Sequence, residues 1–147
     1  MKLYLLIAST MFLLIGCASS TWKENDFFIG GHMISLSPAD MGELRGAWSN
    51  SAPFGQFKTA LTNSEAQWTA DFISLRESLR NRNNPCRTLN LESVSPSPVD
   101  IADLSGRRTP GSQFDEKWSL DACGVKRAYR AYHPQYSIVL AIDEVRP

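Results

Sequence analysis

The stretch QFDEKWSLDACGVKRAYRAY, residues 113–132, decides how this chain folds. In its first half Phe114, Trp118, Leu120 and Ala122 fall on one face of an extended chain, and Asp115, Lys117, Ser119 and Asp121 on the other. That two-residue period is the mark of a half-buried strand. Gly124 permits a tight turn, and Tyr129 to Tyr132 return as a second strand. Pro134-Gln135 turns the chain again, and Tyr136, Ile138, Leu140 and Ile142 make a third strand with Val139, Ala141 and Val145 opposite. This last strand is apolar on both faces, so its place is central or under a cover.

Upstream, the spacing predicts one main helix. Trp68, Phe72, Leu75 and Leu79 recur at intervals of four, three and four, forming a single apolar stripe over Ser64 to Arg80. Either Thr62 or Ser64 can cap it, and Pro85 bars its continuation. A shorter helix is predicted from Pro38 to about Arg45, with Ser37 as cap, although Gly42 and Gly46 weaken it. Leu89 to Glu92 alternates as a strand. Pro96, Pro98, Gly106, Pro110 and Gly111 then punctuate a long loop, in which Asp100 to Leu104 has room for one helical turn. Trp22 to Phe57 otherwise has no clear period, and no internal repeat is visible.

The N-terminus follows the order of an export signal: Met1 and Lys2, then an apolar run from Leu3 to Ile15 broken only by Ser9 and Thr10. A membrane-spanning helix needs about 20 apolar residues, so this run is too short to anchor the chain. It ends in Leu14-Ile15-Gly16-Cys17, which resembles the lipobox of bacterial lipoproteins. That resemblance implies cleavage before Cys17, diacylglycerol on its thiol and an acylated amino terminus. Two or three acyl chains, at about 0.8 kcal/mol per buried methylene, hold far better than one. The same residues also fit ordinary secretory cleavage after Ala18. No Asp follows Cys17, which by resemblance to enterobacterial lipoproteins permits transport to an outer membrane.

With Cys17 acylated, Cys86 and Cys123 remain in a compartment that favours disulfides. A structural bridge is the expectation. A redox pair has no Cys-x-x-Cys spacing to support it, and zinc lacks paired ligands because His32 and His133 stand apart. The run Phe114-x3-Trp118-x4-Cys123-Gly124, followed by basic residues and Tyr129, resembles a C-terminal hairpin of small uncharacterised proteobacterial lipoproteins. It implies a disulfide-pinned hairpin and no activity. The expected organisation is a signal over 1–16, a lipidated N-terminus and tether over 17–30, and one periplasmic α+β domain over 31–147. In it a small antiparallel sheet of three or four strands carries one main helix on a face, with one disulfide.

The chain has no net formal charge, and loss of Lys2 with the signal leaves it at −1, so bulk charge excludes nucleic acid as a partner. Chemistry-bearing motifs are sparse. No Gly-x-Ser-x-Gly and no phosphate loop occur, and no cofactor or metal is implied. His32, after Gly30-Gly31, is a candidate base on a flexible loop, while His133 precedes Pro134 at a turn and reads as a surface residue. Asp115 with Glu116, and Asp143 with Glu144, read as solvated strand charges pointing to opposite faces. Arg107 and Arg108 are candidate contacts for lipid phosphate or peptidoglycan carboxylate. Trp22, Trp48 and Tyr136 read as core or core-rim residues rather than a binding surface. The leading expectation is a non-enzymatic, membrane-tethered periplasmic domain. It would bind an envelope protein or peptidoglycan through a sheet face or the loop between Val94 and Gln113. The rival is a small envelope hydrolase using His32 with a Ser or Asp brought near by folding.

Overall fold

A computed structural model describes residues 25–49, 53–96, 116–133 and 140–147. The chain enters as a hairpin, β1 (Asp26–Ile29) and β2 (His32–Ser35), joined by Gly30 and Gly31. Both glycines have positive φ, the backbone that a two-residue turn needs to match strand twist. Two expectations are corrected here. Gly30-Gly31 is a tight turn and not a flexible loop, and residues 26–29 belong to the folded unit and not to a free tether, since Phe27 is fully buried.

Helix α1 (Pro38–Gly46) follows, and Ser37 caps it as expected. The Ser37 hydroxyl accepts from the Asp40 N–H while the Asp40 carboxylate accepts from the Ser37 N–H, two otherwise orphaned donors satisfied at once. The Ser37 hydroxyl also donates to the Asp40 carboxylate at 2.6 Å, and this bond together with the one from the Ser37 N–H holds the carboxyl below its ordinary pKa. A single 3-10 turn at Pro53–Gln56 leads to helix α2 (Asn63–Arg80). Of the two possible caps, Thr62 is the one used, again in a reciprocal pair with Glu65.

Four strands form the main sheet: β3 (Leu89–Pro96), β4 (Glu116–Ala122), β5 (Val125–Tyr132) and β6 (Ala141–Val145), antiparallel and in sequence order. Between Leu91 and Ser93 the register of β3 shifts, because Glu92 is an extra residue against β4. Leu89 and Leu91 therefore face the core before the bulge, and Val94 opposes Trp118 after it. Cys123 and Gly124, both at positive φ, close the β4–β5 turn, and the Gly124 N–H donates to Asp121 Oδ1 at 2.7 Å. Of the two places expected for the third strand, its described part, β6, takes the covered one: it lies next to β5 at the end of the described sheet and not in its middle. Its apolar character on both faces reflects burial on both sides, with Ile142 on the helix side and Val145 on the other. Residues 134–139 and the loop over 97–115, with the turn expected at Asp100 to Leu104, lie outside the described residues.

Helix α2 is buried along two stripes. The apolar stripe read from sequence packs Trp68 against Phe27, with ring centroids 5.7 Å apart, and against Phe72 at 5.6 Å. The second stripe, Ala66, Ala70, Ile73 and Glu77, turns toward the sheet, where Tyr129 bonds to Glu77. Trp48 is core, as expected, and its segment joins the sheet edge through Leu89 N–H to Ala47 O at 2.8 Å and Ser49 N–H to Leu89 O at 2.9 Å. The disulfide joins Cys86, beyond the end of α2, to Cys123 in the β4–β5 turn, with Cα atoms 5.8 Å apart. It fixes the helix exit to the far end of the hairpin. Replacing both cysteines by Ala should lower the unfolding free energy by about 4 kcal/mol, the loop-closure value for a ring of this size. Urea denaturation without reductant reads this directly, and an unchanged midpoint would show that the bridge contributes nothing.

Candidate functional site

The residues singled out from sequence do not converge. Cys17, Arg107 and Arg108, like Trp22 and Tyr136, lie outside the described residues. His32 is exposed at the first position of β2, and no hydrogen bond or ion pair joins its side chain to another described residue. His133 is corrected from a surface residue to a largely buried one, its side chain 14% exposed and its Nε2 3.0 Å from Glu65 Oε1. Burial alone would raise the Glu65 carboxyl, but hydrogen bonds from Thr62 and the nearby His133 outweigh it and hold the group below its ordinary pKa. Thr62, Glu65 and His133 form a chain in which the carboxylate sits between hydroxyl and imidazole. A nucleophilic hydroxyl needs the imidazole next to it, so this order serves capping and not acyl transfer.

Two acids read as solvated are in fact buried. Glu116 shares the core face with Trp118 and Leu120 and is 4% exposed. Its carboxylate accepts from the Thr59 hydroxyl at 2.8 Å, the Ala60 N–H and the Trp118 indole N–H at 3.3 Å. It thereby ties the segment before α2 to β4, and removing it would leave donors unpaired at about 1–3 kcal/mol each.

Glu144 is the second, and it belongs to a larger cluster. The helix-facing row of the sheet runs Val94, Trp118, Tyr129, Glu144 across its four strands. Above it, Glu77 of α2 accepts from the Tyr129 hydroxyl and from Arg80, through Nη2 at 3.0 Å and Nε at 3.1 Å. Arg80 Nη2 also reaches Glu144 at 2.8 Å. Arg76 stands 3.5 Å from Glu144, and Arg127 lies 3.8 Å from Glu77 and 3.9 Å from Glu144. Burial pushes the Tyr129 phenol up, and the bond to Glu77 adds to the shift, so the hydroxyl stays a donor across the neutral range. A third buried acid, Asp71, takes a two-nitrogen fork from Arg45 at 3.0 and 2.8 Å and a bond from Gln67 at 2.9 Å, joining α2 to α1. Each buried acid is thus met by donors from another element, and the arrangement is one of structural ties.

The surface offers something different. Between α1 and the C-terminal half of α2 lies an open groove of about 640 Å³. Its floor is apolar, from Leu44, Leu75, Leu79, Pro85 and the bridged Cys86. Asp40 and Glu43 of α1 stand along it with Arg82 and Arg87 of the segment after α2, so both signs of charge meet an apolar strip. Ser74, buried in the wall of the groove, has a hydroxyl with no hydrogen-bond partner among the described residues. Apolar lining with a few convergent polar groups is the ordinary make-up of a binding cleft. A smaller recess of about 330 Å³ lies beside the Arg45–Asp71 fork.

Among the described residues no group of three or more His, Cys, Asp or Glu side chains is placed to hold a metal ion. None of the described helices is long and apolar enough to cross a membrane. No protein-family model matches the chain, and neither a curated protein nor a solved structure matches it. Sequence reasoning missed the groove, because its lining is drawn from residues 36–47 and 74–87, which no local motif connects.

Proposed function

We propose that this chain is an envelope lipoprotein, held through acylated Cys17 at the periplasmic face of a membrane, the outer one by its lack of Asp after Cys17, and that it works by binding and not by catalysis. Its partner is an envelope protein or peptidoglycan. The observation that carries the binding reading is the α1–α2 groove, an apolar strip with acidic and basic side chains along it. The rival hydrolase reading depends on His32, and that side chain is exposed with no described carboxylate or hydroxyl bonded to it. Nothing described there would orient it as a base. Arg107 and Arg108 remain proposed contacts for phosphate or carboxylate groups on the strength of sequence alone.

Two measurements test the two halves. Cells fed a labelled fatty acid should label the wild-type protein and not Cys17→Ser, and equal labelling of both would end the anchor reading. For the groove, Glu43→Lys with Arg87→Glu inverts two exposed charges, where substitutions are ordinarily within about 0.5 kcal/mol of neutral. Crosslinking in intact cells should then recover about tenfold less of the partner captured by wild type, the equivalent of roughly 1.4 kcal/mol of binding. Equal recovery would remove the groove from the binding site.

A further inference from the structure

The β1–β2 hairpin has one face on the core and one in solvent. Phe27 is buried and stacks on Trp68, and Ile29 and Ile34 pack partly against the same core. On the other face Phe28 and Met33 are direct cross-strand partners, 55% and 52% exposed. Phe28 and Met33, with Val125 the large hydrophobic residues most exposed among those described, therefore stand side by side on one short ribbon. Single exposed apolar residues are unremarkable, whereas these two adjoin at a fixed register and make one continuous apolar surface.

Its position names the use. Only eight residues separate Cys17 from Asp26, the first residue of β1. At about 3.3–3.6 Å per residue, even a fully extended tether lets the strand begin no more than roughly 30 Å from the acylated residue. Phe28 follows two residues later, about 7 Å further along the strand. Of the exposed large apolar residues described, this pair is therefore the one nearest the anchor along the chain, and the short tether keeps it close to the membrane surface. Aromatic and thioether side chains suit the boundary between headgroups and acyl chains. The tight Gly30-Gly31 turn holds the two in register, so little ordering is left to be done on contact.

We infer that Phe28 and Met33 form a membrane-contact patch, which seats the domain on the phospholipid leaflet that holds its lipid and sets which way the rest of the fold faces. The inference rests on the anchor reading above. With the hairpin seated, the domain is oriented instead of swinging freely on its tether.

The test uses the full-length protein purified from membranes with its own N-terminal modification. It is reconstituted in vesicles of phosphatidylethanolamine and phosphatidylglycerol, with and without bromine on the upper acyl chain. Phe28→Trp and Met33→Trp are compared with Val125→Trp, an exposed apolar position at the start of β5. For each, the emission added over wild type is measured. The bromolipid should quench the emission added at positions 28 and 33 by about half or more, as expected for insertion of roughly 5–10 Å, and leave that at 125 nearly unchanged. Equal quenching at all three, or none at 28 and 33, overturns the contact. Blue-shifted emission at 28 that bromine does not quench marks burial against protein, in a second copy or a partner, and overturns it too. The intact mass of the same preparation separates the two claims. An unacylated Cys17 overturns the anchor and the contact together, whereas an acylated protein with unquenched positions 28 and 33 overturns the contact alone.

Discussion

Arg80 is the tie on which the helix–sheet packing turns. It stands in the last turn of α2 and bonds two buried carboxylates at once, Glu77 of its own helix and Glu144 of β6, while the Tyr129 hydroxyl of β5 closes the ring on Glu77. Two acids placed between a helix and a sheet cannot be left alone, because a buried charge without a partner is destabilising by several kcal/mol. Arg80 resolves both with one guanidinium, and Arg76 and Arg127 add further positive charge within 4 Å. The consequence is geometric. The C-terminal end of α2 has one seat on the sheet, and from that seat the chain leaves through Asn81 to Pro85 to the disulfide that ties Cys86 to Cys123. The groove beside α1 inherits its shape from the same placement, since Leu75, Ser78 and Leu79 come from the helix turns that Arg80 holds down.

Much of this was legible in the sequence, and the parts that were not share a cause. The large apolar residues of α2 announce the stripe that meets the hairpin, but the stripe that meets the sheet is Ala66, Ala70, Ile73 and Glu77, small and charged residues that a search for apolar periodicity passes over. Glu116 sits in phase with Trp118 and Leu120, so its position alone pointed inward. Its charge argued against burial until Thr59, Ala60 and Trp118 were seen to satisfy it. Alternation in β3 breaks at Glu92 because a bulge moves the inward positions from odd to even numbers, which is why the strand read from sequence stopped there while the real one runs on to Pro96. Gly30-Gly31 between two apolar runs is a hairpin signal, and it was obscured by runs of only four residues with Phe28 and Met33 on the outer face.

Sites were harder to read than elements. The Cys86–Cys123 pair followed from cysteine arithmetic, because setting Cys17 aside as the expected acylation site leaves one pairing. His32 drew attention through its residue type, and the fold leaves it exposed with no described partner. The groove had no motif at all: its walls meet only after α1 packs on α2. A histidine can be noticed one residue at a time, whereas a surface assembled from separated segments cannot.

In this account the charged interior is architecture, and the outer surface is where the molecule meets its surroundings. The most direct test of that division is the unfolding free energy of Arg80→Ala by urea denaturation. Removing the guanidinium that hydrogen-bonds both buried carboxylates should cost about 2–4 kcal/mol, somewhat less than a fully broken buried ion pair because Arg76 and Arg127 stay in place. A loss below about 0.5 kcal/mol, the ordinary worth of an exposed surface pair, would contradict it and return Glu77 and Glu144 to the list of groups free to do chemistry.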